Sequence, residues 1–131
     1  MKIWLASILE PENFGTHRVI SIAYSEPRLT KTIGVFEPFI PLQKCQDQYK
    51  KEKDINFEKA KSEFIENYSK QLNDLFQDLQ TKSLIENKDI INLLPFEDGD
   101  TLVSWERQEN YNYRSIVSKF LEKCGYEVEL Y

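Results

Sequence analysis

Residues 101–131, TLVSWERQENYNYRSIVSKFLEKCGYEVELY, decide the fold. Thr101 to Trp105 is β-branched and apolar, as a strand requires. From Asn112 to Cys124 the apolar residues Ile116, Val117, Phe120, Leu121 and Cys124 share one helical face. Gly125 stands where a left-handed helix end is wanted, and Tyr126 to Tyr131 alternates as a last strand. Strand, loop, helix, strand is a βαβ unit, and its two strands are expected to be parallel.

Working outward, Lys2 to Leu9 reads as a first strand, with loop chemistry from Glu10 to Gly15. His17 to Tyr24 alternates as a second strand, ended by Ser25-Glu26-Pro27, because the residue before proline is pushed out of the helical region. Thr32 to Phe36 suits a short strand, and Pro38 and Pro41 make the next stretch an irregular crossing. From Asn56 onward Phe57, Ala60, Phe64, Tyr68, Leu72, Leu75, Phe76 and Leu79 recur at three- and four-residue steps, one face of a long helix. Asp54 or Asn56 is its cap, and Lys50 to Lys53 reads as a solvated turn or an earlier helical turn. A shorter helix is expected over Ser83 to Leu93, followed by Pro95 and a turn at Glu97 to Asp100. The expected fold class is therefore α/β: a single small domain with a mainly parallel central sheet, flanked by helices and closed by the C-terminal βαβ unit.

The 131 residues suffice for one buried core, and 40% hydrophobic with 30% charged residues is an ordinary globular balance. A net charge of −5 speaks against nucleic acid as partner. No apolar run reaches the roughly 20 residues that span a bilayer, and Glu10 follows too soon for a secretion signal, so no membrane association and a cytoplasmic location are expected. Cys45 and Cys124 are far apart and fit reduced thiols. His17 is the sole histidine, which excludes multi-histidine metal sites, and the four glycines match no phosphate-loop or dinucleotide spacing. No metal and no cofactor is implied.

The candidate site is the loop Glu106-Arg107-Gln108-Glu109-Asn110-Tyr111-Asn112-Tyr113-Arg114. In open parallel sheets ligands collect beyond the carboxyl ends of the strands, where the next helix directs its unsatisfied N–H groups. Arg114 sits in the first helical turn, where a cation opposes the helix dipole. A bound anion resolves that conflict; so does an internal pair with Glu106 or another acid that clamps the loop. Glu106 is the one candidate catalytic base, and equally a structural partner. Tyr111 and Tyr113 alternate on the loop as interface anchors. His17 and Arg18 complement Arg114 if the first loop and the last strand-to-helix loop lie over the same end of the sheet.

The run Leu102 to Leu121 resembles the C-terminal signature of the small bacterial and archaeal family known as domain of unknown function 488: a hydrophobic strand, a Tyr-Glu pair, a short loop, and Cys-His-Arg opening an amphipathic helix. Trp105 and Glu106 fall on the aromatic-Glu pair and Arg114 on the signature arginine. Lys2-Ile3-Trp4 and Ile20 to Pro27 are similar to the family's first two strands, the second with its Ser-x-Pro turn. Where the family has Cys-His, this chain has Asn112-Tyr113, so a thiolate nucleophile or ligand is absent at that place. The resemblance thus implies recognition rather than catalysis. The expected function is binding of a small anionic molecule, a nucleotide or phosphate-bearing metabolite, through Arg114, Arg107, Glu106, Asn112, Tyr113, Tyr111, His17 and Arg18. The alternatives are a protein-interaction module or inhibitor, of the kind a mobile element encodes, that meets a partner protein through Tyr111 and Tyr113, and a hydrolase acting on nucleotides or nucleic acid with Glu106 as base.

Overall fold

A computed structural model describes residues 1–15, 17–23, 32–105 and 113–131, the side chain of Tyr113 excepted. Four strands, β1 (Lys2–Ser7), β2 (Val19–Ser21), β3 (Thr101–Ser104) and β4 (Glu127–Leu130), form one sheet in the order β2-β3-β1-β4. All three pairings are parallel, with Leu5 opposite both Leu102 and Leu130, and Ile20 opposite Leu102. This is the expected α/β class, and the C-terminal βαβ unit is present: α3 (Tyr113–Cys124) carries the chain from β3 across β1 to β4. Each strand is shorter than the sequence pattern suggests. The parallel ladder ends where the chain turns off the sheet, and alternation continues past that point.

Side-chain alternation splits the sheet into two faces. Ile3, Leu5, Ile20, Ile22 and Leu102 enter one cluster with residues of all three helices. These include Cys45 of α1 (Gln43–Glu52), Phe64, Tyr68 and Leu72 of α2 (Phe57–Glu86), and Val117, Phe120 and Leu121 of α3. The opposite face carries a smaller cluster of Ile8, Ala23 and Val103, packed by Phe14, Val19 and Trp105.

α2 begins where the Asn56 side chain accepts the Lys59 backbone N–H at 3.2 Å, so Asn56, not Asp54, is the cap. Its 30 residues extend about 45 Å. The helix ends at Asn87, whose φ of 51° lies in the left-handed region. This corrects the expected helix over Ser83–Leu93. Ser83 to Glu86 are the last turn of α2, and Ile90–Leu93 form a separate 3-10 turn. α1 absorbs Lys50 and Lys51 into a ten-residue helix, and Val35 makes only an isolated bridge to Ser21. The crossing segment is a 3-10 turn at Glu37–Phe39, held by the buried Tyr68 hydroxyl, which donates to the Phe39 carbonyl at 2.6 Å. α3 closes as expected: Gly125 takes a φ of 106° and donates to the Glu122 carbonyl, while Tyr126 donates to that of Leu121.

The first loop lies flush on the sheet at Gly15, whose N–H donates to Thr101 Oγ1 at 2.8 Å. A Cβ there would stand 2.6 Å from the Trp4 ring and 2.9 Å from the Gly99 carbonyl. Gly15→Ala is therefore expected to cost about 1–3 kcal/mol through overpacking. Chemical denaturation measures it, and an unchanged midpoint would show that the loop lifts away without loss.

Candidate functional site

The carboxyl edge of the sheet is built from serines. Ser7 and Ser104 end adjacent strands in register, and both are fully buried, as is Ser21 at the end of β2. Ser7 Oγ accepts the Leu9 N–H at 3.2 Å and Ser21 Oγ accepts the Ala23 N–H at 3.1 Å. Such i→i+2 bonds satisfy backbone donors where the ladder stops. The Ile8 N–H reaches the Ser104 carbonyl at 2.8 Å, tying β1 to β3 one residue beyond their last pair.

Arg114 enters this edge from the first turn of α3. It is 0% exposed, and its Nη1 donates to Ser104 Oγ at 3.2 Å. Arginine is rarely buried completely without partners, because desolvating a guanidinium costs several kcal/mol. Of the other residues expected at this site, Glu106, Arg107, Tyr111 and Asn112 lie outside the described residues, as do Ser25-Glu26-Pro27 of the second loop. For Tyr113 the backbone alone is described, as the first residue of α3.

His17 and Arg18 do not join Arg114. They precede β2, at the amino edge of the sheet, whereas Arg114 follows the carboxyl end of β3, and β3 rises about 10 Å between the two edges. The condition that would have united the two loops fails because β2 is parallel to β1, so the first loop must carry the chain back to the amino edge.

At that edge Arg18 meets a different partner. Its Nε and Nη2 donate to the two oxygens of Asp100 at 3.0 and 2.6 Å, Nη2 also reaches the Pro95 carbonyl, and Nη1 lies 3.0 Å from Glu97. His17 Nε2 lies 3.0 Å from Glu97 and 3.9 Å from Asp100. Asp100 is fully buried and accepts the Glu97 N–H at 2.8 Å. Burial alone would raise its pKa, but the bonds from Arg18 and the Glu97 amide, with the charges of Arg18 and His17, outweigh that and hold it below the ordinary carboxylate value. This is a structural clamp joining β2 to β3. Sequence reading missed it, although a signal was present: Arg18 and Asp100 each stand one residue before adjacent strands.

Nothing else described offers ready nucleophilic or metal chemistry. Burial pushes the Cys124 thiol up to about 11 and raises that of Cys45, so both are protonated and unreactive near neutral pH. Among the described residues no group of three His, Cys, Asp or Glu side chains is arranged to hold a metal ion, and no helix is long and apolar enough to cross a membrane. The chain matches no family model, no curated protein and no solved structure.

Proposed function

We propose that this chain is a cytoplasmic, non-catalytic binding domain that recognises a small anion such as a nucleotide or phosphate-bearing metabolite. The observation that carries the reading is the buried Arg114 guanidinium, which donates to Ser104 at the carboxyl edge of parallel strands, where Ser104 pairs in register with Ser7. That edge is where parallel sheets collect ligands, and Arg's fork of donors suits a phosphate or carboxylate. The resemblance to the domain of unknown function 488 family adds the matched Arg114 and removes the cysteine a covalent mechanism would use. Buried, free Cys45 and Cys124 fit a reducing compartment.

Calorimetric titration with orthophosphate and adenosine monophosphate is the test. At least one is expected to bind the native chain. Arg114→Gln is expected to weaken it at least tenfold, or about 1.4 kcal/mol, and Arg114→Lys to fall between. Circular dichroism checks that each variant is folded. No heat from either anion, or native affinity in a folded Arg114 variant, overturns the reading.

A further inference from the structure

On the outer side of the helical layer a groove of about 440 Å³ runs between α2 and α3. Ile65 and Ile116 supply its accessible apolar surface, with Leu72 and Phe120 buried beneath, and Asn73, Lys119 and Lys123 stand on its polar rim. Leu72 and Phe120 belong to the main core, so this surface is fixed by the fold. Lys119 and Lys123 are four residues apart and thus stand on one stripe of α3. Lys123 Nζ rests 4.3 Å from the centre of the Phe76 ring, a cation-π contact that restrains this rim ammonium. Among the described residues no carboxylate lines the groove, and neither ammonium lies within ion-pair distance of one. A chain of net charge −5 has here gathered two cations around a partly apolar cleft.

We infer that the α2–α3 groove is a binding site for a small amphipathic anion, a carboxylate or sulfonate head on an aliphatic or aromatic body. Its volume lies within the range of about 300–1,000 Å³ usual for a small-molecule site, and it offers apolar and cationic groups side by side. The two ammoniums set the sign of the head group. The apolar surface sets the body, since a hydrophilic ion gains nothing from Ile65 and Ile116. This site stands apart from Arg114, which contributes nothing to the groove.

The fluorescent probe anilinonaphthalene sulfonate, an anion with an aromatic body, tests the assignment on the intact chain. A saturable rise in emission at one equivalent is expected, reversed by octanoate but not by octylammonium or octanol. Lys119→Glu combined with Lys123→Glu should weaken the probe at least tenfold while leaving orthophosphate binding and the circular dichroism spectrum as in the native chain. Ser69→Trp, which fills the groove without changing charge, should weaken it comparably. Absence of saturable emission, displacement by octylammonium or octanol as effective as by octanoate, or native probe affinity in either folded variant overturns the inference.

Discussion

Asp100→Asn is expected to destabilise the protein by about 1.5–3 kcal/mol, the scale of hydrogen bonds to a charged group, because the Arg18 left behind is part-exposed and keeps Glu97. The carboxylate is fully buried and accepts from two nitrogens of Arg18 and from the Glu97 amide. Asparagine keeps the shape, but it loses the charge and turns an N–H₂ donor toward Arg18 or Glu97, both donors. Urea unfolding at neutral pH measures the loss, with an unchanged denaturant slope expected because the surface exposed on unfolding is the same. The effect also has a pH signature. A carboxylate whose pKa is lowered by folding stabilises the native state fully above its unfolded value of about 3.9, and that contribution fades as pH falls through the lower folded value. The gap between native and variant stabilities is therefore constant from pH 6 to 8, as a rough window, and narrows below about pH 4. Equal midpoints at neutral pH would show that the Arg18–Asp100 clamp is not needed to hold β2 to β3.

Phe39→Ala is expected to cost about 3–5 kcal/mol, the range for deleting a buried aromatic ring. Phe39 is 0% exposed and meets Phe36, Phe96 and Phe120 at ring-centre distances of 4.7, 5.8 and 5.2 Å, the first and third edge to face. Those three rings come from the crossing segment, from the turn before β3 and from α3, so one cavity opens against several parts of the core. Phe39→Leu, which keeps most of the volume, is expected to lose less than half as much. Comparing the two by urea unfolding separates lost volume from lost ring geometry. A loss below about 1 kcal/mol for alanine would mean that the cluster collapses freely onto the vacancy.

The parts of the fold legible in the sequence are those where two independent signals coincide. Helix α3 combines a clear apolar face with Gly125 at its end, and α2 combines a long apolar stripe with Asn56 at its start. Helix α1 lacks such agreement. Only Cys45 and Tyr49 mark a face among glutamines, lysines and acids, a pattern that fits a solvated turn equally well. The boundary of α2 was misplaced because its stop is Asn87 in a left-handed conformation, and asparagine is also common within polar helical surfaces. At the candidate site, Arg114 was legible as a cation at a helix start. Its complete burial was not, since that depends on where Ser7 and Ser104 stop two strands almost 100 residues apart. The α2–α3 groove was invisible for a related reason: Lys119 and Lys123 acquire meaning only once Leu72 is known to lie across from them.

Because β1 occupies an interior position between β3 and β4, it is made before both of its neighbours and is among the last of the four strands to be satisfied. Lys2 to Ser7 find one neighbour only after Ser104 has been synthesised and the other only after Leu130. Until then its apolar residues and two free edges must wait beside helices that can already form from local contacts. Such long-range parallel pairing slows folding, because a large loop must close before any ladder bond is gained. A chain that has made β1 but not β3 and β4 therefore exposes a sticky strand, and rapid synthesis of residues 101–131 is itself a protection against aggregation.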